Sequence, residues 1–234
     1  MSIPLPHLLN LALHIGAGLA AIGLGLALLA KAKGTPAHRR QGRLFVLLAL
    51  VVCATGAAGN VFFRFMPLFA VLTVLVTYQV LSGWHVVHTR ADGPNWIDAL
   101  LALCAAAWAL GLLPALLSCG SMDDEQAKAA PVVIHATLGV LAFLLAYDAA
   151  RWCFPRHWHA TLWRYEHIYK LVASLSGMLS AAAGNLARDG QPWSQLLPSV
   201  LGMAVIAVCI WRDRHARPRP AVKPPGSDWR RSTR

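Results

Sequence analysis

The sequence predicts an all-α polytopic membrane protein with seven transmembrane helices, and three observations carry this prediction. Of its 234 residues, 57% are hydrophobic and only 13% are charged, which is unlike an ordinary soluble domain. Seven apolar segments each approach the ~20 residues that a helix needs to cross a bilayer. These segments are continuous apolar runs, whereas the strands of membrane barrels alternate apolar and polar residues.

The apolar segments follow one another with short connections. They cover residues 8–29, 44–65, 67–87, 96–117, 131–150, 168–187 and 195–211. The third starts at Pro67 after a very short turn, and residues 92–95 cap the fourth. We expect the fifth helix to start at Pro131, because proline is favoured in the first helical turn. The stretch 151–165 is rich in tryptophan and histidine and is typical of an interfacial loop.

The two halves of the chain carry the same landmarks in the same order. Each half has a histidine, a glycine four residues later and a distant asparagine: His14, Gly18 and Asn60 in the first half, and His135, Gly139 and Asn185 in the second. A proline stands seven residues beyond each asparagine, at Pro67 and Pro192. An offset of about 121 to 125 residues indicates a duplicated unit.

The repeat divides the chain into four parts. Residues 1–90 form a first three-helix repeat, 91–130 a linking helix with an acidic outer loop, 131–212 a second three-helix repeat, and 213–234 a basic disordered tail in the cytoplasm. One linking helix makes both repeats run in the same direction, so their two-fold axis lies along the membrane normal. The two repeat histidines are then expected at equal depth.

Lysine and arginine predict the orientation. All of the 21 basic residues except Arg64, Lys128 and Arg188 lie in or beside the connections 31–43, 88–95 and 151–167 or in the tail. This asymmetry places the N-terminus outside and the C-terminus inside, on the cytoplasmic side. The net charge of +11 is then explained by topology and by attraction to anionic lipid of the bilayer, with nucleic-acid binding as a remote alternative.

The repeat histidines suggest a metal centre. His14 and His135 are predicted as the axial ligands of one b-type haem between the first and fifth helices, since two imidazoles suit a low-spin iron. The repeat glycines, Gly18 and Gly139, let a porphyrin lie against bare backbone. The repeat asparagines, Asn60 and Asn185, would then fix the imidazole tautomers.

A second histidine cluster is expected near the inner face. His85 and His88 end the third helix, and His167 opens the sixth. If His85 or His88 pairs with His167, two stacked haems would pass electrons from a quinol or a cytoplasmic donor to an outer redox protein. Four other histidines are expected to be interfacial or solvated: His38, His157, His159 and His215.

Other interpretations stay open beside the haem. The histidines can simply hydrogen-bond a neighbouring helix, and the glycines can be plain packing residues. A small transporter or proton pathway would use the repeat histidines and asparagines as a polar site at the repeat interface. A non-catalytic membrane assembly partner is the third alternative. The sequence specifies neither a substrate nor an oligomeric state.

The first 90 residues also resemble a known family. The matching features are His14-x3-Gly18, the turn at Lys33-Gly34, His38-Arg39-Arg40-x-Gly42-Arg43 and Tyr78-x4-Gly83-Trp84. They resemble a family of uncharacterised, predicted bacterial multi-helix membrane proteins, which implies an inner-membrane location and no assigned activity. The arrangement is more weakly similar to transmembrane di-haem b cytochromes, which use histidines on several helices near both faces. This chain departs from them by spreading its histidines over helices 1, 3, 5 and 6, with an extra helix 4 between.

Overall fold

The computed structural model describes residues 4–118 and 125–215, with side chains described for 4–114 and 131–215. The described residues form seven long helices and no strand, which confirms the all-α prediction. The helices are α1 Leu5–Ala30, α2 Pro36–Ala58, α3 Pro67–Thr89, α4 Trp96–Ser118, α5 Glu125–Ala150, α6 Arg156–Leu186 and α7 Trp193–His215. Residues 119–124 of the predicted acidic outer loop and most of the predicted tail lie outside the described residues.

Six of the described helices are long and apolar enough to cross a membrane, a set compatible with an integral membrane protein. The exception is α6, which is the longest helix but carries Arg164, Glu166 and Lys170 in its first half. Large apolar side chains such as Leu19, Leu103 and Phe143 are more than half exposed on the outside of the bundle. Lipid is the solvent that such a surface requires.

Three helices begin earlier than the apolar pattern predicts. Helix α2 begins at Pro36, because Thr35 Oγ1 accepts a hydrogen bond from the backbone N–H of His38 at 3.1 Å and caps the helix. Helix α6 begins at Arg156, so most of the expected interfacial loop is helical. Helix α5 begins at Glu125. Pro131 therefore lies inside a helix, and the prediction that it starts one was wrong, because the residues before it are strong helix formers.

Helices α3 and α6 form the centre of the bundle. Helix α3 packs on α2, α4, α5 and α6, and α6 also packs on α1 and α7. Glycines allow the close approach, since a Cβ atom at Gly83 would lie 2.8 Å from Lys170 Cβ and one at Gly177 would lie 2.9 Å from Val76 Cγ2. Around this pair, α1 packs on α2 and α6, whereas α5 packs on α3 and α4. The two-fold repeat stays a prediction.

The basic connections lie together at one end of the bundle. Arg90 in the turn after α3 stacks over the Trp163 ring of α6 at 5.5 Å, and Arg214 near the end of α7 lies 5.2 Å from the Tyr165 ring. The Gly93 position lies against the His159 ring, which is 4% exposed. We call this end of the bundle, where Arg90, Trp163, Tyr165 and Arg214 lie, the basic end. His159 was expected to be interfacial or solvated, and it is not solvated, because the α3–α4 turn covers its ring.

Candidate functional site

Five charged side chains are buried together between α3, α4, α5 and α6, and we call them the buried ionic cluster. Its members are Asp98 in α4, Asp148 in α5, Arg151 in the 3-10 turn after α5, and Glu166 and Lys170 in α6, and none is more than 6% exposed. Removing a charge from water costs several kcal/mol unless it is paired and hydrogen-bonded. Each member is therefore expected to have a specific partner.

Lys170 and Asp148 form the tightest pair. Lys170 Nζ lies 2.8 Å from each carboxylate oxygen of Asp148 and donates to Ser82 Oγ at 2.5 Å. The Tyr78 hydroxyl donates to the same carboxylate. The ammonium group also lies 5.9 Å from the Tyr78 ring and 5.8 Å from the Tyr169 ring, so two aromatic faces complete its surroundings.

Arg151 joins the three carboxylates of the cluster. Its Nε lies 2.9 Å from Glu166 Oε1. Its Nη1 lies 3.4 Å from Asp148 Oδ1 and 3.5 Å from Asp98 Oδ1. Tyr147 donates to Glu166 Oε1 at 2.9 Å. The guanidinium group therefore holds the ends of α4, α5 and α6 in one network.

His85 connects the cluster to the basic end. Its Nε2 lies 3.5 Å from Asp98 Oδ2 and 3.1 Å from Asn95 Oδ1. The side chain of His85 is 14% exposed, compared with 5% for that of Asp98. The imidazole is thus the more accessible group next to the buried charges.

The charges of the cluster do not balance. Three carboxylates face two cations, so the fully ionised cluster carries one net negative charge. Glu166 Oε2 and the Tyr169 hydroxyl are buried and have no hydrogen-bond partner among the described residues. One added positive charge would neutralise the cluster, and these two oxygens are free to receive it.

Helical spacing explains how the sequence assembles this site. Tyr78, Ser82 and His85 are spaced four and three residues apart, so they share one face of α3. Glu166 and Lys170 share one face of α6 in the same way. Gly83 lets the two faces approach. One feature of the sequence could have revealed this site. Asp98, Asp148 and Lys170 are charged residues inside predicted apolar segments, and such residues are functional candidates by default.

His14 lies in a second polar region, at the interface of α1 and α2. Its Nδ1 is 3.1 Å from the Val52 carbonyl oxygen and 2.9 Å from Thr55 Oγ1. Asn10 donates to the Thr55 carbonyl oxygen at 3.1 Å. Both His14 Cε1 and Thr73 Oγ1 of α3 would lie within 3.5 Å of a Cβ atom at Gly56. Asn10, His14, Thr55 and Thr73 therefore form one group, which we call the α1–α3 polar seam.

His135 has different surroundings from His14. It is exposed, and its Nδ1 lies 2.6 Å from the Pro131 carbonyl oxygen of its own helix. A Cβ atom at Gly139 would meet nothing within 4 Å, whereas one at Gly18 would meet Val52 Cγ2 at 3.9 Å. The structure therefore holds the two repeat histidines on separate helix surfaces. Their assignment as ligands of one haem stays a prediction.

The repeat asparagines make the same local contact. Asn60 donates to the Gly56 carbonyl oxygen at 3.0 Å, and Asn185 donates to the Ala181 carbonyl oxygen at 2.9 Å. Asn60 Oδ1 also accepts the backbone N–H of Met66 at 2.9 Å and ties the end of α2 to the start of α3. Both amides act as helix-end hydrogen-bonding groups, and a role beside a cofactor stays a prediction.

The inner histidines are distributed differently from the predicted pairing. His88 is exposed, and its Nδ1 lies 3.1 Å from the carbonyl oxygen of Trp84 in its own helix, whereas His85 belongs to the edge of the ionic cluster. His167 Nδ1 lies 2.9 Å from the Gly83 carbonyl oxygen. Nδ1 of His38 is buried without a hydrogen-bond partner among the described residues. His38 is thus not simply solvated.

Among the described residues, no group of three or more His, Cys, Asp or Glu side chains is arranged to hold a metal ion. Comparison with known proteins gives no match to a family model, to a curated protein or to a solved structure. The functional argument therefore depends on the geometry of the chain itself.

Proposed function

We propose that the chain is an inner-membrane protein that carries protons through its helix bundle, with the buried ionic cluster as the proton-binding site. One observation supports this proposal most directly. Five buried charges are one positive charge short of neutrality, and Glu166 keeps an unpartnered oxygen. A bound proton removes the cost of the remaining buried charge, and its release restores that charge.

Polar groups on α3 supply the outer part of the pathway. Moving from the α1–α3 polar seam towards the cluster, α3 presents Thr73, Thr77 and then Tyr78, and Tyr78 donates to Asp148. Hydroxyl and neutral imidazole groups each donate and accept hydrogen bonds, so they can pass a proton along. His14 is the first such group on the outer side, and water is the natural carrier between successive groups.

The inner part of the pathway runs through His85. We take the basic end as cytoplasmic, because lysine and arginine concentrate on the cytoplasmic side of inner-membrane proteins. His85 lies between the buried Asp98 and that end. The imidazole ring has one nitrogen that can donate a proton and one that can accept it, which suits His85 to connect the cluster with the cytoplasm.

Proton flux into proteoliposomes tests the proposal. Purified protein is reconstituted into lipid vesicles that contain a pH-sensitive dye. A potassium gradient together with valinomycin then imposes a membrane potential. We expect inward proton movement above that of empty vesicles and a loss of this flux in Glu166→Gln. Asp189→Asn is the matched control, because Asp189 is exposed in the α6–α7 turn. Flux equal to that of empty vesicles under both directions of potential would overturn the proposal.

A b-haem electron-transfer protein is the second candidate, and one observation favours it. Nδ1 of His14, His135 and His167 each lies within hydrogen-bond distance of a backbone carbonyl oxygen, which leaves Nε2 free. Iron-ligating histidines are commonly anchored in this way. A haem would supply one-electron chemistry, and these residues would supply its axial nitrogens. An absorption spectrum of protein expressed with adequate haem tests this candidate, because a sample without a Soret band would eliminate it.

A further inference from the structure

We propose that the site around Glu166 and Tyr169 binds a weakly hydrated monovalent cation, potassium or ammonium, in exchange for the proton. This inference depends on the proposed function and deepens it. The cluster needs one positive charge, and its charge balance is the same whether that charge is a proton or a monovalent cation.

Two buried oxygens, from residues three positions apart on one face of α6, are the proposed ligands of the cation. Glu166 is 1% exposed, and its Oε1 is already held by Arg151 and Tyr147, which leaves Oε2 as the acceptor without a partner. The Tyr169 hydroxyl is likewise buried and unpartnered among the described residues. Buried oxygens without partners cost free energy, and a cation coordinated by both would recover it.

The aromatic rings beside the site indicate which kind of cation it favours. The Tyr147 and Tyr169 rings meet edge to face, with centroids 6.0 Å apart. The Tyr169 ring already lies 5.8 Å from an ammonium group, that of Lys170. Aromatic faces favour cations that lose water easily. Magnesium and calcium carry two positive charges, one more than the cluster needs for neutrality.

The exchange balances in atoms and charge. In one state Glu166 carries a proton on Oε2 and the cluster is neutral. When the cation M⁺ arrives, the Oε2–H bond breaks, the proton leaves towards His85, and the carboxylate oxygen coordinates M⁺. The net reaction is Glu166–COOH plus M⁺ giving Glu166–COO⁻·M⁺ plus H⁺. Exchange of one proton for one cation is electroneutral.

Charged and titratable groups from every neighbouring helix surround the site. They are Tyr78 and His85 of α3, Asp98 of α4, Tyr147 and Asp148 of α5, Arg151 of the following turn, and Tyr169 and Lys170 of α6. Arg151 pairs with all three carboxylates, and most closely with Glu166 Oε1. Among these carboxylates only Glu166 has a buried oxygen, Oε2, without a hydrogen-bond partner in the described part of the chain, and it is therefore the group proposed to exchange its proton.

Proteoliposomes with a trapped pH dye test the exchange. With no ionophore present, adding potassium to the outside should drive protons out of the vesicles, and adding sodium or magnesium should drive far fewer. Movement of protons under a potential but without any cation dependence would overturn the inference while the proposed function survives. No movement under either condition would overturn both.

Tyr169→Phe tests the hydroxyl group as a ligand of the cation. The variant removes one proposed cation ligand and leaves Glu166 in place, so the half-saturating potassium concentration for proton efflux should rise by about tenfold. Tyr165→Phe is the matched control, because Tyr165 contacts Arg214 at the basic end and lies outside the cluster. An unchanged potassium dependence in Tyr169→Phe would overturn the proposed coordination. Thermal unfolding of both variants in detergent verifies that each is folded.

Discussion

A lysine ammonium group in the centre of a membrane bundle is stable only when its charge is matched. Lys170 is fully buried, and Asp148, Ser82 and two tyrosine rings surround it. The sequence contains every residue of this arrangement, but it does not show which distant partners meet. Residues 82 and 170 are 88 positions apart, and only packing of α3 on α6 joins them.

Charge balance predicts the outcome of removing this lysine. Lys170→Met leaves the cluster with two net negative charges and removes the closest cation of Asp148, which should cost about 3–5 kcal/mol of stability. The double variant Lys170→Met with Asp148→Asn restores the original net charge and should be clearly more stable than the single variant. Thermal unfolding in detergent measures both. Lys31→Met is the control, since Lys31 is exposed, and a double variant no more stable than Lys170→Met would contradict the pairing.

The two repeat histidines should differ in their effect on stability. His14→Ala removes contacts between helices, to Val52 and Thr55, and should cost about 1 kcal/mol. His135→Ala removes only a contact within its own helix and should be close to neutral. Thermal unfolding distinguishes this outcome from the haem hypothesis, in which both variants lose an axial ligand and show the same spectral change. Equal and large destabilisation by both would favour shared ligation.

At the scale of whole helices, the sequence predicts which segments form helices better than it predicts the residue at which each helix begins. The apolar runs locate all seven helices, because hydrophobicity decides which segments enter lipid. Helix starts depend on local caps and propensities, such as the Thr35 cap of α2, which hydropathy does not register. The ionic cluster was missed for a related reason, since Asp98, Asp148 and Lys170 each look isolated within an apolar segment, and Arg151 and Glu166 look like part of a basic connection.

Close packing of α3 on α6 should depend on Gly83. A Cβ atom there would lie 2.8 Å from Lys170 Cβ and 3.2 Å from Leu171 Cδ2, so Gly83→Ala should force the helices apart and cost about 1–3 kcal/mol. Gly16→Ala is the matched control, because nothing lies within 4 Å of that position. Thermal unfolding compares the two variants. Equal stability of Gly83→Ala and Gly16→Ala would show that the helices do not approach this closely.

At the scale of the whole molecule, the gathering of basic connections at one end predicts the orientation. Reporter fusions at Lys33, Arg90 and Arg156 should be active in the cytoplasm, together with a fusion at the C-terminus. A fusion at Asp189 should be active only outside the cytoplasmic membrane. A C-terminal fusion active only in the periplasm would mean that one predicted helix, α6 being the first candidate, does not cross.

The exchangeable proton of the buried ionic cluster is most directly measured by infrared difference spectroscopy of the purified protein between acidic and alkaline buffer. We expect the carbonyl stretch of a protonated, buried carboxyl group that disappears on raising the pH. The band should be absent in Glu166→Gln and retained in Asp189→Asn. A spectrum without a titrating buried carboxyl group, or one that is identical in wild type and Glu166→Gln, would contradict proton binding by the cluster.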